Sequence, residues 1–586
     1  MLSVIDDTQA ELCLLRCCMG FPKFAFAVRS TPPHLIPNAT RSFDELMGDT
    51  AKQRFDITFN DDQKTQWALP IRCGGIGIRK ASDIAPAAFL ANIMDTIPLI
   101  RRMLNKPDLA PTSIPGVRES WQAMRNILNE DEAELAPQVQ TMLSEAGLWQ
   151  VRGTAPEAEA MEGFLADAKP LGEKMQHFLS SIIQQKRLRQ YLAGQPATAE
   201  PGTSTETADP TREPSARALL RKLALLRGDR ETGYANGWLN AIPSEALGLK
   251  MTSACFSTSL KWILGDTICP PQNCPEKTIT NKKCDRPLDP WGDHAVTCAT
   301  GPSRIARHDL LNTTWLAAMK TAGLHARAEV QVDPDTHKRA ADTFVYNWNN
   351  GNPAAHDWMV THVLREGAAK HPHDPDWAIR DGESSKKSAD KGACDRRSVD
   401  LVPLVMDTMG GFGPEATKAI SKVGNHCRVM GDDDPNLKRK RLAQKLRFTA
   451  MRGVATQILR RCATDVYSPN DRAIGRNAEH IAEEPLGHAD ADTLPSPNAC
   501  QPAHLEVPDC AEQSARNPSP SCERTPPPRF YGSRSCQAVA ETWQDSFLRP
   551  FRPLGTPCFP QPTGLTLPCV VAVNYPLAPR FVNPWC

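Results

Sequence analysis

Two stretches of this chain, one with almost nothing that a hydrophobic core could bury and one with little hydrophobic periodicity, fix where compact structure is expected to begin and end. The first, 194–215, opens Gly194-Gln195-Pro196-Ala197-Thr198-Ala199-Glu200-Pro201 and cannot offset the entropy of being ordered, so a flexible linker is expected. The second, 466–586, is Pro/Ser/Cys-rich, as in Asn517-Pro518-Ser519-Pro520-Ser521 and Thr525-Pro526-Pro527-Pro528, and shows little periodicity. A disordered C-terminal tail is expected there. At 586 residues the chain also exceeds the roughly 250 to 300 at which one core stops growing, which predicts a multidomain protein.

Hydrophobic periodicity organises the remainder. Residues 1–150 read as an all-α region, with an apolar face in Glu11-Leu12-Cys13-Leu14-Leu15-Arg16 and interruptions at Pro32-Pro33 and Pro70. A helical extension at 151–193 precedes the linker, and a helical connector at 216–268 follows it. Residues 269–300 carry Cys, His and Pro in short spacings, and 301–465 mix helices with short strands in an α/β pattern.

The 68 Lys+Arg against 67 Asp+Glu leave a formal charge of +1, so any surface for a polyanion must be local. The N-terminus, Met1-Leu2-Ser3-Val4-Ile5-Asp6-Asp7, has no basic segment followed by an apolar run, and no secretory signal is read there. An intracellular location, nuclear or cytoplasmic, is expected, with a reducing environment for the 19 cysteines. No membrane partner is expected, since no apolar run approaches the roughly 18 residues of a span, and the sequons at Asn38 and Asn312 read as chance matches.

Three groups of residues could carry chemistry. Cys269, Cys274, Cys284, His294 and Cys298 lie among turn-forming prolines, and four soft ligands at short spacing suit tetrahedral zinc. Cys274, Cys284, His294 and Cys298 form the preferred set for a structural Zn²⁺, which would replace a hydrophobic core in so small a segment; ordinary free cysteines are the alternative.

The second group spans Glu329 to His362. Arg339 to Tyr346 and His356 to Val360 read as strands, and Asn349-Asn350-Gly351-Asn352-Pro353 between them is a turn signal, giving a hairpin with Asp342 and Asp357 on opposite arms. Paired carboxylates of this kind can hold Mg²⁺ for phosphodiester hydrolysis, with Glu329 on a preceding strand as a third oxygen. The slot two residues after Asp357 is Met359, so a charge-stabilising lysine must come from elsewhere; Glu383 to Lys391 offers several. Solvated surface acids are the competing reading of the pair.

The third is the cationic run Lys438-Arg439-Lys440-Arg441, which attracts phosphates whatever their sequence, or else is a solvated face balanced by Asp432-Asp433-Asp434. Gly74-Gly75-Ile76-Gly77 lacks the Lys-Ser/Thr of a phosphate loop and reads as a turn before a helix at Ala81; His371 and His373 read as loop residues.

Several segments together resemble the C-terminal half of non-LTR retrotransposon reverse-transcriptase polyproteins of the restriction-like endonuclease class. They are Arg16-Cys17-Cys18-Met19-Gly20-Phe21-Pro22-Lys23, Leu69 to Ile78, Ala85 to Ala91, Trp238-Leu239-Asn240-Ala241-Ile242-Pro243-Ser244 and Val402 to Gly413. Most specific is Leu288-Asp289-Pro290-Trp291-Gly292-Asp293-His294-Ala295-Val296-Thr297-Cys298 followed by Arg304-Ile305-Ala306-Arg307-His308-Asp309. The resemblance covers roughly residues 10 to 460, with gaps.

It implies a thumb-like helical region at 1–150, a zinc-knuckle-like segment at 269–300, and at 301–465 a restriction-endonuclease-like domain of the PD-(D/E)xK type. Asp342 and Asp357 fall on the family's two acids, and Lys386 or Lys391 near its displaced lysine. Arg304, Arg307 and His308 become candidate nucleic-acid contacts beside the basic helix. The expected activity is Mg²⁺-dependent nicking of DNA, with DNA and element RNA as partners and no small-molecule substrate. Two positions depart from the family pattern: Ala341 stands where a proline precedes the first acid, and Cys274 lies far before Cys284. The polymerase signature is missing, Phe59-Asn60-Asp61-Asp62 being an imitation without a palm before it, so no DNA synthesis is expected. A non-catalytic nucleic-acid-binding remnant and a decayed element remain as alternatives.

Overall fold

The computed structural model describes residues 5–129, 175–193, 215–229, 231–278, 280–335, 341–349, 351–365, 367–429 and 434–462. The expected tail, the linker up to residue 214 and residues 151–174 of the expected extension lie outside them.

Fourteen α-helices occur among the described residues. Seven precede residue 194: α1 (Thr8–Leu14), α2 (Phe21–Ser30), α3 (Pro37–Phe55), α4 (Asp61–Ala68), α5 (Ala81–Met103), α6 (Val117–Asn129) and α7 (Met175–Ala193). Asn60 caps α4, its side chain accepting from Gln63 N while the Gln63 side chain accepts from Asn60 N, so Asp61 and Asp62 lie in a first helical turn. Gly74 and Gly77 adopt φ of 74° and 90° in the turn that leads into α5. The α5 helix is long and apolar enough to cross a membrane by length and composition, with mean hydropathy 1.3 over its most apolar window. More than half of that window is buried, with Phe89, Leu90 and Ile93 packed on Trp121 of α6 and Leu179 of α7.

From residue 215 onward come α8 (Ser215–Leu225), a short ribbon of β1 (Gly228–Asp229) and β2 (Gly233–Tyr234), α9 (Ser253–Leu264), α10 (Asp293–Thr297) and α11 (Ser303–Thr321). A four-stranded mixed sheet follows: β3 (Ala326–Val330), β4 (Ala341–Asn349), β5 (Asn352–Thr361) and β6 (Asp400–Asp407), in that spatial order. The β3–β4 and β4–β5 pairs are antiparallel and β5–β6 is parallel. A parallel pair needs a crossover, which α12 (Trp377–Arg396) supplies. The last helices are α13 (Pro414–Val429) and α14 (Pro435–Cys462).

Both faces of the sheet are covered. Trp315 of α11, Ile420 of α13 and Leu446 of α14 pack with Val345, Ala354, Trp358 and Leu404 on one face. On the other, Cys394 of α12 meets Phe344 and Ala355, and Gly382 lets α12 approach so closely that a Cβ there would lie 3.1 Å from Val405 Cγ1.

A larger apolar cluster draws on Leu12, Phe55 and Trp67 of the N-terminal region, Trp238 and Trp262 beyond residue 215, Cys274 and Cys298 of the Cys/His segment, and Phe448 and Ile458 of α14. The boundaries read from composition at 216, 269 and 301 therefore run through a shared core. Cys269 is bonded to Cys462, tying the start of the Cys/His segment to the end of α14; the sequence reading, which took a reducing environment as its starting point, anticipated no disulfide.

Candidate metal centre and acid pair

Asn273 pairs with Pro287 and Lys277 with Lys283, so the chain between Cys274 and Cys284 is a narrow antiparallel ribbon. Cys274 N donates to Arg286 O at 2.7 Å and Cys284 N to Glu276 O at 2.9 Å. The long gap between these two cysteines is thus consumed by a hairpin that returns the second beside the first. His294 lies in α10 and Cys298 is the residue that caps its C-terminal end, one turn further on. Asp289 orients that turn, its carboxylate accepting from the backbone N–H of Trp291, Asp293 and His294 at 3.1, 2.9 and 2.6 Å.

The four ligand atoms of Cys274, Cys284, His294 and Cys298 all lie within 4.8 Å of one another. Cys274 Sγ is 3.9 Å from Cys298 Sγ, Cys298 Sγ 3.7 Å from Cys284 Sγ, and Cys284 Sγ 3.5 Å from His294 Nε2. Sulfurs at ~2.3 Å from a tetrahedral ion stand about 3.7 Å apart, so the group is dimensioned for a metal such as zinc. Burial lowers the His294 pKa, which favours the neutral, ligating imidazole. Cys269, grouped with these residues in sequence, is outside the set because it is bonded to Cys462.

The second site is built on the β4–β5 hairpin. Thr343 is opposite His356, which places Asp342 opposite Asp357, and Gly351, at φ 100°, makes the turn between the arms. Asp342 Oδ2 accepts from Trp358 N at 2.7 Å and meets His308 Nε2 of α11 at 2.8 Å. Asn312, also on α11, donates to the Asp342 carbonyl at 2.9 Å and accepts from Thr343 Oγ1 at 2.5 Å. The sequon residue Asn312 is therefore a buried clamp on the first acid.

Asp357 is 4% exposed. Its Oδ1 accepts from Lys386 Nζ at 2.7 Å, whereas its Oδ2 is buried with no hydrogen-bond partner. Burial, joined by repulsion from Asp342 and opposed by Lys386, pushes the Asp357 carboxyl up to about 7. Asp342 moves the other way: burial acts to raise it, but His308 and the Trp358 N–H outweigh burial and hold it below the usual range. His308, bonded to Asp342, is raised to about 9.

Of the other sequence candidates, Glu329 is exposed at the β3 position opposite Asp342 and adopts φ 51°. It is not part of any cluster of three ligating atoms, since the Cys/His group is the only such cluster among the described residues. Lys386 reaches the acid pair from the sheet-facing side of α12, while Lys391 is exposed and pairs with Asp395 at 2.6 Å. Arg304 is exposed, as are Lys440 and Arg441. Arg439 is mostly covered and lies 3.6 Å from Glu231, and Lys438 is half-buried. Arg307 is a correction: it is buried and donates to Gln457 at 2.6 Å, so it cannot reach a phosphate. His308 likewise belongs to the acid pair rather than to an open basic surface. The sequence reading missed Asn312 and the contact of His308 with Asp342; the spacing of His308 and Asn312, one helical turn apart before the hairpin, was the available signal.

No family model matches this chain, and no curated protein matches it.

Proposed function

We propose that residues 301–465 form a Mg²⁺-dependent DNA-nicking endonuclease of the restriction-like class, with a zinc-bound segment at 269–300, in a polypeptide derived from a non-LTR retrotransposon polyprotein. The observation that carries the reading is the opposed pair Asp342 and Asp357 with Lys386 on Asp357, assembled from a hairpin and the crossover helix behind it. A mixed sheet covered by helices on both faces, with two acids on adjacent strands and a lysine beside them, supports that reading.

The donor set fits a hard cation: two carboxylates face each other, and the buried Asp357 Oδ2 lacks any donor in the protein. Bound Mg²⁺ supplies Lewis-acid polarisation of the scissile phosphate and a more acidic water. The residues of the chain do the rest. Asn312, His308 and the Trp358 N–H hold Asp342 in one orientation. Lys386 steadies the ionised form of Asp357 and places a cation where charge accumulates on the phosphate oxygens. The exposed Arg304, Lys440 and Arg441 supply sequence-independent attraction to the backbone.

One observation favours a second reading, a nucleic-acid-binding remnant without catalysis: each aspartate already has a cationic or protonatable partner, Lys386 or His308, which neutralises the pair internally. Nicking of supercoiled plasmid by the full chain separates the two. With Mg²⁺ we expect conversion to open circles that EDTA abolishes and that falls by about 10³-fold in Asp342→Ala and Asp357→Ala proteins of unchanged fold. A folded, zinc-loaded chain that binds plasmid and never nicks it supports the remnant.

A further inference from the structure

The sheet face that carries the acid pair continues past it. Side chains two residues apart on a strand share a face, so Asp342, Phe344 and Tyr346 follow one another along β4. On the neighbouring β3, Arg327 lies opposite Phe344, and Tyr346 N donates to His325 O at 3.0 Å just before the strand begins. The His325 and Tyr346 rings are stacked, with centroids 4.5 Å apart and planes 20° from parallel, and the edge of Phe344 supports Tyr346 at 5.0 Å and 76°. Both rings of the stack are exposed, Tyr346 at 38%. Arg327 between them and the acids is exposed, and no hydrogen bond or ion pair of its side chain occurs among the described residues.

From these positions we propose that His325, Tyr346 and Arg327 form a subsite for an unpaired nucleobase and its phosphate in a DNA strand bound across the acid pair. A large aromatic left exposed on the solvent side of a strand contributes little to a core, whereas a flat stacked pair is a platform that a nucleobase extends without repacking either ring. Tyr346 stands four residues from Asp342, about 13 Å at ~3.3 Å per residue. That is on the order of two nucleotides of extended single strand. Arg327 lies between and meets the intervening phosphate. Only an unpaired base offers its face, so the subsite selects a frayed or single-stranded segment beside the cut and ignores closed duplex.

The strand's placement across the acids rests on the nuclease reading; the platform itself does not. Its test is therefore binding, measured with the full chain in EDTA by anisotropy of a labelled 20-mer single-stranded DNA, the same sequence in RNA, and a hairpin duplex closed at both ends. We expect Tyr346→Ala to weaken single-stranded DNA binding about 5- to 100-fold, Tyr346→Phe to restore it, and neither to change binding of the closed duplex. Arg327→Ala should reduce the salt slope of single-strand binding by about one phosphate. Equal single-strand affinity in the parent and in Tyr346→Ala of unchanged melting temperature would overturn the proposal. Preference for the RNA 20-mer, with the Tyr346 dependence confined to it, would overturn DNA as the ligand. Loss of single-strand binding in Tyr346→Ala in a protein that never nicks plasmid would retain the platform and discard the nuclease. Nicking that needs Asp342, in a protein whose binding ignores Tyr346, would do the reverse.

Discussion

Asp342 and Asp357 carry the same carboxyl group on paired strands, yet one is held ionised and the other pushed up to about 7, because α11 offers His308 to the first while burial dominates the second. Lys386 is the cation that opposes this burial, and Lys391, five residues on along α12, lies outside the site. Removing Lys386 should therefore cut plasmid nicking by about 10²-fold, the order seen when one preorganised donor is lost, while Lys391→Ala should leave the rate within about twofold. Equal losses in the two variants, measured as initial nicking rates at saturating Mg²⁺, would contradict the assignment. His356, next to Asp357, supplies a second test. Trp315 Nε1 donates to its Nδ1 at 3.0 Å, the ring is fully buried, and burial lowers its pKa to about 3. An unfolded histidine titrates near 6.5, so the folded state is penalised as pH falls below about 6.5, and the stability present at pH 7 is lost progressively toward pH 3. Urea midpoints should show the parent losing about 2 kcal/mol more than His356→Gln between pH 7 and pH 5, since glutamine keeps an acceptor for Trp315 and does not titrate. The acids and the lysine-bearing segment were legible from residue type and spacing. The choice of Lys386 over Lys391 was not, because both lie on one short polar run and only the packing of α12 decides which side meets the sheet.

At the level of elements, the hairpin turn at Asn349 to Pro353 was readable from composition, as were the strands on either side, because β-branched and aromatic residues there leave few other conformations. The β6 strand and its parallel pairing to β5 were less visible: pairing across a 20-residue crossover helix depends on contacts that no local window contains. The Cys/His segment shows the same limit in reverse. Its ligands were readable, but the ten-residue interval between Cys274 and Cys284 looked too long until the bridges Asn273 to Pro287 and Lys277 to Lys283 folded it back. A metal held by these four residues would stabilise a ribbon with so few apolar residues. The purified protein should contain one zinc per chain by elemental analysis, Cys298→Ser should contain none, and its melting temperature should fall to that of the chelator-treated parent. A metal-free parent with the same melting temperature would show that the four ligands are incidental.

The whole molecule is held by contacts that tie distant parts of the sequence. Arg227, just after α8, donates to Asp407 at the end of β6 and also pairs with Asp376 at 3.1 Å. Asp407 is fully buried, and the Met409 and Gly411 N–H groups complete its shell. Arg227→Ala leaves that carboxylate buried without its cation and should cost about 3–5 kcal/mol in urea unfolding, against a smaller loss for Arg227→Lys. If both variants unfold at the parent's midpoint, the ion pair does not hold the end of α8 to the end of β6. The linker and tail expected from composition lie outside the described residues, and the shared core was not legible, because Leu12, Trp262 and Ile458 reveal no partnership until their helices are placed.

The bond between Cys269 and Cys462 closes a covalent ring through a sequence separation of 193 residues. Inside that ring lie the four candidate metal ligands, both aspartates, Lys386 and the basic face of α14. A protease that severs one peptide bond anywhere between them opens the circle without releasing a fragment, so a chain cut there stays one molecule until a reductant parts its two sulfurs.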